Sequence, residues 1–81
     1  MQINVQFWSY FKELAGCAET TAILDDGATI ETLLKVLHAR FPNLTAMQKS
    51  TLIAVGVDYQ DHNFVLKHGD EVSLFPPVQG G

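Results

Sequence analysis

Thr29-Ile30-Glu31-Thr32-Leu33-Leu34-Lys35-Val36-Leu37-His38-Ala39-Arg40-Phe41-Pro42 is the stretch that decides the fold. Ile30, Leu33, Leu34, Leu37 and Phe41 recur at helical spacing and form one continuous apolar stripe. Glu31, Lys35, His38 and Arg40 lie largely off that stripe. Thr29 is a suitable N-cap, Glu31 puts a carboxylate in the first turn where the helix dipole favours it, and Pro42 ends the run. The spacing therefore predicts a helix over residues 30–41. In a chain of 81 residues this stripe has to be core, because a domain so small offers no other comparable apolar area.

The segments around the helix read as strands. Upstream, Ile3, Val5 and Phe7 alternate with Gln2, Asn4, Gln6 and Trp8, the pattern of a half-buried strand. Ser9 is then placed to cap a short helical connector from Tyr10 to Ala15, stopped by Gly16. Glu19 to Leu24 is rich in threonine and reads as a second strand, closed by the turn residues Asp25-Asp26-Gly27. Downstream, Asn43 to Ser50 is polar and reads as one helical turn. Leu52 to Val57 is a nearly unbroken apolar run, expected to be a strand buried on both sides, with Gly56 marking a bulge or a close backbone approach. Asp58 to Asn63 reads as a polar loop or short edge strand, and Lys67-His68-Gly69-Asp70 as a turn. The last strand is Glu71 to Phe75, stopped by Pro76. Several strands around one amphipathic helix make an α+β domain, a single sheet with the helix across one face.

Composition excludes several classes of function. Hydrophobic residues make up 47% and charged residues 17% of the chain, which supports a packed core and excludes an acidic disordered segment. Nine acidic against five basic residues, without a basic cluster, argue against nucleic acid as a partner. No apolar run approaches the length needed to span a bilayer, and Met1-Gln2-Ile3-Asn4 carries no targeting pattern, so a cytoplasmic protein with no membrane partner is expected. Cys17 is the only cysteine, in keeping with a reducing compartment.

Ordinary catalytic constellations are missing. His38, His62 and His68 have no paired-ligand spacing, so no metal site is expected. Asp25-Asp26 and Asp70-Glu71 each adjoin a glycine and are explained by turn formation. There is no phosphate loop, and Ser9, Thr51 and Ser73 lack a recognisable base partner. The remaining distinctive stretch is Phe75-Pro76-Pro77-Val78-Gln79-Gly80-Gly81. The prolines fix φ and donate no hydrogen bond, which sets residues 76–81 apart from the domain of residues 1–75 as an extended tail. Gly80 and Gly81 carry no Cβ, so this backbone fits a narrow channel. From Pro77 onward the tail reaches about 13 Å when extended, enough to enter a partner's pocket. The carboxylate of Gly81 is ionised at neutral pH and needs activation, most simply adenylation, before a sulfur or amine nucleophile attacks it.

Three runs carry a resemblance: Phe7-Trp8-Ser9-Tyr10-Phe11-Lys12-Glu13-Leu14-Ala15-Gly16, then Ile30-Glu31-Thr32-Leu33-Leu34, then Gly69-Asp70-Glu71-Val72-Ser73-Leu74-Phe75-Pro76-Pro77-Val78-Gln79-Gly80-Gly81. Together they resemble the small, sulfur-carrying subunits of molybdopterin synthase, within the MoaD/ThiS ubiquitin-like family. The run from Gly69 to Gly81 is the most specific. The resemblance implies a β-grasp fold, with a mixed sheet of four to five strands, the first and last strands side by side and one main helix across one face. It also implies a function. A ubiquitin-activating-like enzyme adenylates Gly81 with its own ATP, and a sulfurtransferase system converts the acyl-adenylate to a thiocarboxylate. The tail then enters the large subunit of a heterotetrameric synthase and gives its sulfur to cyclic pyranopterin monophosphate, in molybdenum cofactor biosynthesis. In that picture Gly81 is the reactive residue, and Phe75, Pro76, Pro77, Val78, Gln79 and Gly80 are held by the partners. The chain binds no cofactor and is no enzyme on its own. Alternatives are a carrier for thiamine thiazole or another sulfur pathway, a ubiquitin-like protein modifier, and a passive β-grasp interaction domain. Two positions depart from the pattern: Gly56-Val57 replaces a usual asparagine after Ala54-Val55, and His68 stands where an acid is common.

Overall fold

The computed structural model describes residues 1–77, apart from the side chains of residues 47–49. Along the chain run β1 (Gln2–Phe7), α1 (Phe11–Ala15), β2 (Glu19–Ile23), α2 (Ile30–Arg40), a 3-10 segment (Pro42–Ser50), β3 (Leu52–Val55), β4 (Asp58–Tyr59) and β5 (Glu71–Phe75). The strands form one sheet in the order β2-β1-β5-β3-β4. β1 and β5 lie parallel at its centre, and the other neighbours are antiparallel.

The core follows from strand parity. Ile3, Val5 and Phe7 of β1, Ala22 of β2, Ile53 of β3 and Val72 and Leu74 of β5 are buried together with Ile30, Leu33, Leu34 and Leu37 of α2. The apolar stripe of α2 thus covers one face of the sheet, as its periodicity requires. Thr29 is extended and its Oγ1 accepts from the Thr32 N–H at 3.5 Å, so the predicted cap is formed. The helix stops one residue early. Phe41 is its C-cap, and the Phe41 ring meets Phe7 edge-on at 5.5 Å.

The register of the two central strands is set by the turn before β5. Gly69 has φ 86°, a left-handed conformation that suits a residue without Cβ. Asp70 closes the turn, with its Oδ2 accepting from the Lys67 N–H at 2.8 Å and its own N–H donating to the Lys67 carbonyl at 3.0 Å. The turn then grips the start of β1. The Gly69 N–H donates to the Gln2 carbonyl at 2.8 Å, the Gln2 N–H to His68 Nδ1 at 3.0 Å and the Asn4 N–H to the Asp70 carbonyl at 3.0 Å. His68 thereby supplies a side-chain acceptor for the first backbone amide of β1.

Three expectations need correction. Ser9 does not cap α1: the N-cap is Tyr10, with no side-chain cap bond, and Ser9 has φ 56°. The chain swings from β1 into α1 within three residues, and that turn takes Ser9 out of the extended conformation an N-cap needs. The apolar run Leu52 to Val57 is not one strand buried on both sides. β3 ends at Val55, which pairs with Asp58 across a two-residue turn, and Val57 is 95% exposed. Gly56, at φ 61°, provides the positive φ at the first central position that a tight hairpin of this length requires, in place of a bulge. Finally, Asn43 to Ser50 is more than one turn, because the 3-10 segment extends over Pro42–Ser50 and buries Leu44.

Leu37 is fully buried beneath the sheet. Leu37→Ala should therefore lower unfolding stability by about 2 to 5 kcal/mol, measured by denaturant titration, with the far-UV circular dichroism of the folded state retained.

Candidate functional site

The face of the sheet turned away from α2 carries the candidate site. Parity places Gln2, Asn4 and Gln6 of β1, Glu71, Ser73 and Phe75 of β5 and Leu52 and Ala54 of β3 on this open face, with Asn4 paired to Glu71, Gln6 to Ser73, Ala54 to Ser73 and Leu52 to Phe75. It is polar at the end where β5 begins. At the end where β5 runs out it turns apolar, because the parallel pairing carries Trp8 alongside Phe75. The Trp8 N–H continues the ladder to the Leu74 carbonyl at 3.1 Å.

Phe75 is the centre of this apolar end. Trp8 stacks on it with ring centroids 5.8 Å apart and an interplanar angle of 14°, and Tyr59 of β4 meets it edge-on at 6.3 Å. Such aromatic pairs contribute about 0.5 to 1.5 kcal/mol each beyond area burial. They also hold the Phe75 ring in one orientation. Trp8 and Tyr59 remain 45% and 68% exposed, so the cluster is a surface patch and not a core edge. Trp8 also lines a cleft of about 160 Å³ together with Gln6, Phe7, Lys12 and Ala18, which brings one cation near this tryptophan.

Of the residues singled out in the sequence, Phe75, Pro76 and Pro77 lie at this patch, and the two prolines are half-buried as the chain leaves β5. Val78, Gln79, Gly80 and Gly81 lie outside the described residues. Tyr59 and Leu52 were not foreseen. Their signal is parity: both share a face with Phe75 once the register of β3 against β5 is known, but the sequence does not give that register.

Among the described residues no polar or charged side chain is buried. Among them, too, no group of three His, Cys, Asp or Glu is placed to hold a metal ion. No described helix is long and apolar enough to cross a membrane. A small cleft of about 70 Å³ brings Glu31, Leu34, Lys35 and His38 of α2 beside His62. There, burial lowers the pKa of His38 from its ordinary 6.5, because the imidazolium loses solvation.

A five-stranded mixed sheet with parallel central strands, one helix across it and a chain end leaving beside an aromatic patch defines a ubiquitin-like β-grasp protein. The solved structure of SAMP1 from Haloferax volcanii superposes with a TM-score of 0.91 over 100% of both chains at 22% identity, which establishes the fold. Residues 5–81 match the model of the ThiS family, and the chain belongs to that family. The molybdopterin synthase sulfur carrier subunit of Chlamydomonas reinhardtii is 40% identical over 84 residues, covering 100% of both chains. One solved structure, the complex of subunits 1 and 2 of the molybdopterin-converting factor from Helicobacter pylori, contains a chain that aligns with a TM-score of 0.73 at 28% identity, covering 100% of each.

The depressed His38 pKa has a consequence for stability. Well above pH 6.5 His38 is neutral in both states and its contribution is complete; as pH falls, the unfolded chain takes up the proton first, and stability is lost through the lowered folded value. The drop in melting temperature between about pH 8 and about pH 5 should therefore be smaller in His38→Gln than in the unsubstituted protein, measured by calorimetry in parallel.

Proposed function

We propose that this chain is the sulfur-carrying subunit of a molybdopterin synthase, acting through a thiocarboxylate at Gly81. The observation that carries the reading is the end-to-end relationship to a curated carrier of that kind. The aromatic patch at the root of the tail supports it, because a partner that receives residues 76–81 has to sit against Trp8, Tyr59 and Phe75.

The chemistry belongs to the tail, and the fold of residues 1–75 presents it. The carboxylate of Gly81 is a poor electrophile. In an activating enzyme it attacks the α-phosphorus of that enzyme's ATP, forming an acyl-adenylate and releasing pyrophosphate. Sulfide-level sulfur supplied by a sulfurtransferase system then attacks the acyl carbon, the bond from that carbon to the AMP oxygen breaks, and the thiocarboxylate results. Its sulfur is soft, anionic and unhindered, the properties of a deliverable nucleophile. Docked on the large subunit, its sulfur bonds to a side-chain carbon of cyclic pyranopterin monophosphate as a C–O bond there breaks, and water then cleaves the acyl–sulfur bond, which leaves sulfur on the pterin and returns the carboxylate to Gly81. Gly80 and Gly81 allow the backbone to fit the channel. Gln79 is held by the partner beside them, and Phe75, Pro76, Pro77 and Val78 form the apolar neck, which the prolines keep extended. The solved complex of the two converting-factor subunits supports a large-subunit partner for this chain.

Two outcomes test this reading. Incubation with the activating enzyme, ATP and a sulfur donor should raise the intact mass by the difference between sulfur and oxygen, and a variant lacking Gly81 should show no change while melting at the same temperature. Mass adducts on lysines of other proteins would instead mark a protein modifier, and no change with any activator would count against the proposal. Trp8→Ala should weaken capture of the large subunit at least tenfold, the loss of one desolvated aromatic anchor, while unfolding stability falls only by the roughly 0.5 to 1.5 kcal/mol of its stacking on Phe75; unchanged affinity would remove the patch from the interface.

A further inference from the structure

The two edges of the sheet are unequal. β4 is an edge of only two residues, Asp58–Tyr59, and is protected by its brevity. β2 is an edge of five residues, Glu19–Ile23, with Thr20 and Thr21 at its middle and Ile23 74% exposed. An edge of this length with two threonines at its middle is a template for strand addition.

The hydrogen bonds fix which groups of β2 point outward. The Leu24 N–H donates to the Met1 carbonyl at 2.9 Å, the Met1 ammonium to the Leu24 carbonyl at 2.7 Å and the Phe7 N–H to the Ala18 carbonyl at 2.8 Å. In the same antiparallel register Ile3 faces Ala22 and Val5 faces Thr20. Residues 18, 20, 22 and 24 are thus turned toward β1, and the backbones of Glu19, Thr21 and Ile23 point away from the sheet. The middle one of these three carbonyls is occupied. Arg40, the last residue of α2, donates to the Thr21 carbonyl at 2.7 Å and to Thr20 Oγ1 at 2.7 Å. Its guanidinium also lies 5.1 Å from the centre of the Phe41 ring, and that ring is fixed against Phe7.

We propose that Arg40 is a guard on the β2 edge, and that the partner it excludes is a second copy of this chain. Two β2 edges can pair antiparallel about a two-fold axis at Thr21. Thr21 then faces Thr21, and Glu19 faces Ile23, so no like charges are opposed within the strands. Arg40 blocks this arrangement at its centre. It already donates to the carbonyl that the pairing needs, its guanidinium stands beside that carbonyl where the second strand would lie, and in the pair it would bring two guanidinium cations together across the axis. The function of the guard is to keep the carrier a monomer in which α2 closes one side of the sheet and the edge recruits nothing.

The test is sedimentation of the full chain over a range of concentrations, together with amide hydrogen exchange at Thr21 and Ile23. The unsubstituted protein should remain monomeric. Arg40→Ala should move toward twice the monomer mass as concentration rises, with exchange at Thr21 and Ile23 slowed in step. Arg40→Gln, which loses the charge but keeps much of the stem, provides the same readout if the alanine variant folds poorly, and Lys35→Ala, elsewhere on α2, should stay monomeric. Monomers for both Arg40 variants at every concentration would overturn the proposal. So would dimers in which exchange at Thr21 and Ile23 is unchanged, or a dimer of the unsubstituted protein that protects these amides.

Discussion

The parallel pairing of β1 with β5 is the constraint on which the rest of the structure depends. It places the beginning of the chain beside its last strand, so Val5 meets Val72 and Phe7 meets Leu74 under α2. The same register carries Trp8 onto Phe75 on the opposite face. One alignment therefore builds both the core and the patch from which the tail departs. A slip by one residue would turn every side chain of β5 to the wrong face. The turn at Gly69 and Asp70 prevents that slip by gripping Gln2 and Asn4 through backbone hydrogen bonds.

In the proposed mechanism stability and chemistry are divided between separate parts of the chain. The core is apolar throughout, and none of the described residues buries a charge that would need a partner. Such a domain has little need for tuned side chains, because in the proposed mechanism ATP, the sulfur source and the pterin all reside in other proteins. What it has to provide is a rigid exit point. Phe75 between Trp8 and Tyr59 supplies one, and Pro76 and Pro77 limit the directions the chain can take from there.

Much of this was legible in the sequence. The stripe from Ile30 to Leu37 foretold the helix and its buried face, and the alternation from Gln2 to Phe7 foretold β1, because both patterns report burial directly. Glu71 to Phe75 was read to the residue, since Pro76 ends the strand. The turn after β3 was misread because Val57 is apolar, yet a hairpin tip exposes whatever residue it carries. Ser9 misled in the same way: its type suits an N-cap, but its backbone serves the turn. The patch was half legible. Phe75 stood out through its place before the prolines, but Tyr59 and Leu52 reach it only through pairings between distant strands, which periodicity does not encode. Arg40 stood out only as a charge off the apolar stripe, and its contact with Thr20 and Thr21 depends on how α2 lies over the edge of the sheet.

The central claim is that the tail delivers sulfur to a pterin bound by another protein. The most direct measurement loads the chain with radiolabelled sulfur at Gly81, mixes it with the large subunit and cyclic pyranopterin monophosphate, and follows the label in a single turnover. The account predicts that label leaves the protein and appears in the dithiolene product at the rate the product forms. Label that stays on the chain, or product formed from the mixture without label, would contradict it.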